Sequence, residues 1–236
     1  MTANPPENNV SDQPVTMAGE RTHETVTDLL RQFTPPPARV ADLAAGEGAL
    51  TVMLRENGYD VVPVDASAVN WKVRDRDVRL VDLDSEFAEE LIAEDGAFDA
   101  IAAVEIIEHL ENPFRFIRQC VKALKPGGLL YLTTPNVEQV SSRMIFLYTG
   151  RLRSFGAYET VRPAHITPIF RWKLEMMLDE AGFELVHECF NRYTFATGTN
   201  LKGRIAGVVG RVIAPLLKGD KGGESRIIVA RSAHSQ

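Results

Sequence analysis

Cysteine and tryptophan are scarce in this chain, and long apolar runs are missing. Two cysteines among 236 residues, Cys120 and Cys189, cannot build a disulfide framework, and both fall on stretches of apolar periodicity. They read as buried core thiols, which excludes the small disulfide-stapled secreted classes. No apolar stretch is long enough to cross a bilayer, and no leader pattern opens the chain. Together these lacks give the expectation of a cytoplasmic protein. An excess of cations is missing as well: 26 Lys and Arg stand against 32 Asp and Glu, for a net charge of −6. That balance argues against broad nucleic-acid binding. No internal repeat is visible. What is present is enough chain for one α/β domain with a full core.

The most informative stretch runs from Val40 to Thr51, VADLAAGEGALT. A short apolar strand meets Asp42, then Gly46 and Gly48, then a helix start. Glycine there lets the backbone turn sharply and approach a ligand with no Cβ in the way. The helix that follows offers free N–H groups and a positive dipole end. A dinucleotide fingerprint would place a third glycine where Thr51 stands, which weakens a nicotinamide-cofactor reading.

Further acids follow at strand ends. Asp65 closes the apolar segment YDVVPVD and precedes Ala66, about 20 residues after the glycines, where a carboxylate can take both ribose hydroxyls. A third strand over Val78–Val81 ends in Asp82, Leu83 and Asp84. Then FDAIAAVEIIEHLENP spans Phe98 to Pro113, with Val104 at its strand end and Glu105, Glu108 and His109 just beyond. LKPGG at 124–128 leads into LLYLTTPN, and HITP at 165–168 precedes a helix closing on Glu180-Ala181-Gly182-Phe183.

The order acid, small, Gly, x, Gly resembles motif I of the class I S-adenosylmethionine-dependent methyltransferases. The Glu-x-x-Glu-His-Leu segment with its neighbours resembles a narrower group, the ubiquinone-biosynthesis O-methyltransferases and their kin (methyltransferase type 11/23). The likeness runs from about Val40 to about Phe190, with a last strand near Ile227, and departs at Ala44, where the family usually has glycine. It implies an α/β fold: a seven-stranded, Rossmann-like, mostly parallel sheet with helices on both faces and a lid inserted after the fifth strand. It implies S-adenosylmethionine as cofactor, S-adenosylhomocysteine as product and a small-molecule acceptor. By this resemblance the cofactor residues are Asp42, Ala44, Gly46, Gly48, Asp65, Ala66, Asp82, Leu83 and Val104, with Asp82 and Leu83 at the adenine.

Methyl transfer from a sulfonium needs donor and acceptor held at attack distance and, for a hydroxyl acceptor, removal of a proton. Glu108, His109 and His165 are the catalytic candidates. Glu105, Glu108 and His109 stand at i, i+3 and i+4, which puts them on one side of a helical turn. That spacing resembles the metal site of small-RNA 2′-O-methyltransferases, with His165 as the distant fourth ligand for a divalent metal. Two metal-free readings stand beside it: Glu108 and His109 as hydrogen-bonded scaffolding, and His109 or His165 as a general base. His23, His187 and His234 attract little weight, His187 as a structural histidine of a strand. O-methylation of a small or lipophilic molecule is the leading function. RNA 2′-O-methylation, N-methylation, an NAD(P)-dependent oxidoreductase and a non-catalytic cofactor-binding module are the alternatives.

Residues 1–20 are polar and expected as a disordered tail ahead of a single domain over 21–236. Val26, Leu29, Leu30 and Phe33 predict a helix that three prolines stop. Residues 136–168 are read as a lid over the acceptor site or as a peripheral packing element. Within 196–222, an insertion before the last strand, Leu201, Ile205, Val208, Val209, Val212, Ile213, Leu216 and Leu217 recur at helical spacing. Lys202, Arg204, Arg211 and Lys218 occur there without an acid. The expectation is a basic amphipathic helix over 201–218, set on a membrane surface, on a second subunit as a homodimer, or on this protein's own sheet.

Overall fold

The computed structural model describes residues 13–75, 77–161, 164–191, 201–219 and 221–233. Seven strands form one sheet: β1 Arg39–Leu43, β2 Asp60–Asp65, β3 Arg79–Leu80, β4 Phe98–Ala103, β5 Leu124–Pro135, β6 Phe183–Phe190 and β7 Ser225–Ser232. Their order is β3-β2-β1-β4-β5-β7-β6, and only β7 runs against its neighbours. The sheet expected from the resemblance is therefore the one formed. Central parallel strands are covered on both faces, which explains why VADL and AIAA read as continuous apolar runs.

Helices follow the strands. On one face lie α1 Thr22–Phe33 and α2 Ala49–Glu56, whose Val26, Leu30, Leu50 and Leu54 pack on Val40, Val61, Ala100 and Tyr131. On the other lie α3 Ala88–Asp95, α4 Pro113–Ala123 and α6 Arg171–Ala181, built around Phe87, Phe116, Ile117 and Leu174. Asn112 caps α4, its Oδ1 accepting from the Arg115 amide at 3.0 Å, and Pro113 opens the helix. Gly182 ends α6 in the left-handed conformation at φ 77°.

Register places the site. Asp42 lies opposite Ala102, and Leu43 opposite Val64 and Ala103. The carboxyl ends of β1, β2 and β4 thus finish level, and the chain leaves them as loops on one edge. Two of those exits are left-handed without glycine: Ala44 at φ 63° and Glu105 at φ 50°. A side chain there costs roughly 1–2 kcal/mol of strain, held by the flanking sheet.

The segment after β5 carries α5 Val140–Thr149, whose first turn is buried, and then loops back toward the strand ends. Arg153 anchors it, donating to Ser141 Oγ at 3.1 Å and to Glu224 at 2.8 Å. The predicted amphipathic element forms as α7 Leu201–Ile213, followed by a 3-10 turn over Ala214–Leu216. Pro215, which cannot continue the α ladder, marks the change. Residues 196–200 of that insertion lie outside the described residues, as do residues 1–12 of the expected tail and His234. The rest of that tail is placed against the body of the protein: the Val15 amide donates to Glu47 Oε2 at 2.7 Å.

Candidate active site

A cavity of about 610 Å³ opens at the strand ends, lined by the β1 loop, Asp65, Ala66, Asp82, Leu83 and the β4 exit. Asp42 sits at its base, 1% exposed. Its Oδ2 accepts from Thr51 Oγ1 at 2.5 Å. Thr51, which replaces a dinucleotide-type glycine, thus holds the strand-end carboxylate. Desolvation pushes the Asp42 carboxyl up to about 6, against the Thr51 hydrogen bond. Asp65 binds the loop itself, its Oδ2 accepting from the Gly46 amide at 2.9 Å and its Oδ1 from the Ser67 amide at 3.0 Å.

Of the nine residues expected at the cofactor, Asp42, Ala44, Gly46, Asp65, Ala66, Asp82, Leu83 and Val104 line this cavity. Gly48 does not. It is left-handed at φ 95°, and a Cβ on it would come within 2.4 Å of Val73 and 2.8 Å of Trp71. Its missing side chain makes room for the segment after β2, on the side away from the cavity.

The expected helical turn over Glu105–His109 is also corrected. A 3-10 turn covers only Ile107–His109, and the left-handed Glu105 stands outside it. Glu105 turns toward β5: its amide donates to Thr133 Oγ1 at 3.0 Å, and that hydroxyl donates to Glu105 Oε1 at 2.8 Å. Three of the four metal candidates do converge. Glu108, His109 and His165 each present a ligand atom, all within 4.8 Å of one another. Glu105 is not among them.

Glu108 is fully buried, and its Oε2 accepts from Thr134 Oγ1 at 3.1 Å. Its Oε1 has no hydrogen-bond partner among the described residues. Burial, and then the charge of Glu105, hold its carboxyl well above the usual range. The Glu108 carbonyl accepts from the amides of Ile166 and Thr167, both at 2.9 Å, which fixes His165 across from it. His109 Nδ1 lies 3.1 Å from the Ala164 carbonyl, and His165 Nδ1 lies 2.7 Å from the Ser154 carbonyl. A carbonyl only accepts, so each ring donates through Nδ1 and keeps Nε2 as a lone-pair acceptor. The rings meet edge to face, 4.6 Å between centroids. Burial, then His165, lower the His109 pKa. Two oriented imidazoles and an orphaned carboxylate oxygen suit a divalent cation, and a backbone carbonyl on the far ring nitrogen is the support such ligands have. The same set suits acceptance of a proton.

His23 is the residue that sequence reasoning missed. It lines the cavity from the first turn of α1, is 8% exposed, and its Nδ1 has no partner among the described residues. A signal existed: His23 precedes Val26, Leu30 and Phe33 on the same helical face. Val15, Met17, Asn70 and Asp84 also line the cavity without any pattern to announce them.

Comparison with known proteins agrees with this geometry. The family model described as a methyltransferase domain matches residues 17–188. A ubiquinone biosynthesis O-methyltransferase of Xanthomonas campestris pv. campestris is 29% identical over 181 residues, 70% of this chain and 74% of that protein. The crystal structure of an S-adenosylmethionine-dependent methyltransferase from Archaeoglobus fulgidus aligns with TM-score 0.62 at 20% identity, covering 89% of this chain and 95% of that one. Magnesium protoporphyrin IX methyltransferase from Synechocystis PCC 6803, with S-adenosylhomocysteine bound, aligns with TM-score 0.57 at 13% identity, covering 90% and 82%. These likenesses set aside the oxidoreductase and the non-catalytic module. The sheet order, the acid-tipped strands and the matched family model together place the chain in the methyltransferase-domain family, as a class I S-adenosylmethionine-dependent methyltransferase.

Proposed function

We propose that the enzyme transfers the methyl group to an oxygen of a small or lipophilic acceptor. The observation that carries this reading is the convergence of Glu108, His109 and His165 at the cavity wall. A hydroxyl must lose its proton as it attacks, and Nε2 of either histidine is an acceptor free to take it. The resemblance to ubiquinone biosynthesis O-methyltransferases supports oxygen over nitrogen. The acidic lining, with Asp65, Asp82, Asp84 and Glu47, disfavours a polyphosphate chain such as RNA. In this reading Asp65 takes the ribose, Asp82 and Leu83 the adenine, and the methyl group faces Val104 and His109, with residues 136–168 covering the acceptor. The purified enzyme, given methyl-labelled cofactor and a panel of catechols, long-chain phenols and amines, is expected to label hydroxyl-bearing compounds. Label confined to amines would overturn the assignment.

The charged residues lining the cavity are acids and three histidines, so the cofactor's methionyl carboxylate needs a donor. His23, in the first turn of α1 and with an Nδ1 that has no partner among the described residues, supplies one. His23→Ala should weaken S-adenosylhomocysteine binding about tenfold, the scale of one charge-assisted hydrogen bond. It should leave 5′-methylthioadenosine, which lacks the amino acid, unaffected. Calorimetry showing equal losses for both ligands would remove His23 from this role.

A further inference from the structure

α7 is amphipathic in reverse. Leu201, Ile205, Val208, Val209, Val212 and Leu216 fall on one stripe, and their exposures run from 44% at Val209 to 82% at Leu216. Among the described residues, the buried positions of the helix are Gly207 and Gly210, followed by Ala214 in the 3-10 turn. A helix that packed by its hydrophobic side would show the opposite. The glycines that lower its intrinsic helicity let its narrow side approach the protein closely and aim the aliphatic side outward.

The stripe is not isolated. α7 packs beside α5, whose last turn exposes Phe146, Leu147 and Tyr148. Arg143 of α5 donates through Nη1 to the Lys218 carbonyl at 2.7 Å. Exposed apolar side chains on two neighbouring helices mark an interaction site. Cations frame it. A chain with net charge −6 puts Lys202, Arg204, Arg211 and Lys218 into this one stretch with no acid, and Arg204 and Lys218 are exposed.

We propose that the outer surface of α7 and the end of α5 dock on an anionic lipid bilayer. Charge decides between occupants. A two-fold contact with a second copy would set the same cations against each other and bring together two bodies of net charge −6, with no acid in the stripe to pair them. An anionic bilayer supplies both the apolar phase and the missing negative charge. The 13-residue helix is too short to cross a membrane, for which about 20 residues are needed. It therefore lies in the interface. Its mounting also fits. Asn136 at the end of β5 donates through Nδ2 to the Gly222 carbonyl at 2.6 Å, and its amide donates to the Glu224 carbonyl at 2.8 Å. The segment after α7 is thus fastened at the sheet end that carries Thr133 and Thr134, the partners of Glu105 and Glu108. This inference stands on the surface and does not need the O-methyl reading.

The test is flotation of the full chain with vesicles of phosphatidylcholine alone and of phosphatidylcholine mixed with phosphatidylglycerol. Binding is expected to the anionic vesicles only, and to fall as salt is raised. Arg204→Gln and Lys218→Gln should each weaken it about fivefold. The double variant Val208→Asp with Val212→Asp should abolish it while S-adenosylhomocysteine affinity stays unchanged, which shows the fold intact. Should that variant lose the cofactor, Leu216→Asp, beyond the helix and highly exposed, reads the same question. The proposal fails if the protein ignores anionic vesicles. It also fails if the aspartate variants bind them as well as the parent does. A dimer in light scattering that the same variants dissolve would assign the surface to a second copy instead.

Discussion

Asp42→Asn is expected to stabilise the unliganded enzyme by about 3 kcal/mol above pH 7 while weakening its hold on the cofactor. The carboxyl of Asp42 is buried and its pKa is raised from 3.8 to about 6. A group whose folded pKa exceeds its unfolded value favours folding while protonated. That contribution is present below pH 4 and is lost as pH rises through 6, a displacement of about 3 kcal/mol. Asparagine keeps an oxygen for the Thr51 hydroxyl and carries no charge to desolvate. Urea denaturation of both proteins should therefore show a gap that is largest at pH 8 and closes toward pH 4. A gap independent of pH would sink the explanation. In the proposed reading the cofactor's ammonium offsets the burial of this charge, so the variant should bind S-adenosylhomocysteine and S-adenosylmethionine roughly ten- to a hundredfold more weakly. Binding to the parent enzyme near pH 6 should release a proton, seen as a buffer-dependent heat, and the variant should release none from this site.

His109→Phe and His165→Phe are each expected to lower kcat by roughly 10²–10⁴, the span of a lost general base, with cofactor affinity nearly unchanged. Their Nε2 atoms are acceptors because carbonyls occupy both Nδ1 protons, and a ring of phenylalanine fills the space without a lone pair. The pH profile and a chelator separate the two ways the cluster can act. If His109 is a metal-free base, the rate rises with pH through its depressed pKa, below the ordinary 6.5, and is level by pH 7. A chelator then changes nothing. If Glu108, His109 and His165 hold a divalent ion, chelation stops turnover, and Mn²⁺ restores the parent but neither variant. Full activity in both phenylalanine variants would remove the cluster from catalysis.

The sheet was legible because β1, β2 and β4 each have an apolar run with an acid at or just past its end, and those acids fall at one edge once register is set. The glycine loop forms as a loop, and its two glycines do not face the same way. Gly46 faces the cavity while Gly48 faces Trp71 and Val73, and nothing in the pattern Gly-x-Gly separates a ligand contact from a packing contact. The Glu105–His109 spacing misled for a local reason. Backbone at φ 50° cannot belong to a right-handed turn, and the Thr133 hydroxyl that draws Glu105 away is 28 residues distant. His23 was passed over because a histidine on the apolar face of a helix is ordinarily core. That it lines a cavity is a tertiary fact the sequence does not reveal. α7 was foreseen as a helix, but the direction its apolar side faces is a tertiary fact.

The paired left-handed exits at Ala44 and Glu105 also bear on how such an enzyme diversifies. They follow neighbouring strands just past the matched residues Leu43 and Ala103, Ala44 one residue on and Glu105 two. In the proposed reading, the floor beneath the methyl donor is therefore drawn by main-chain torsions rather than by side-chain bulk. Exchanging side chains in the segment over 136–168, the proposed cover, leaves those torsions untouched. New acceptors can then be explored by mutation in the cover alone, with the donor's position inherited unchanged from one descendant to the next.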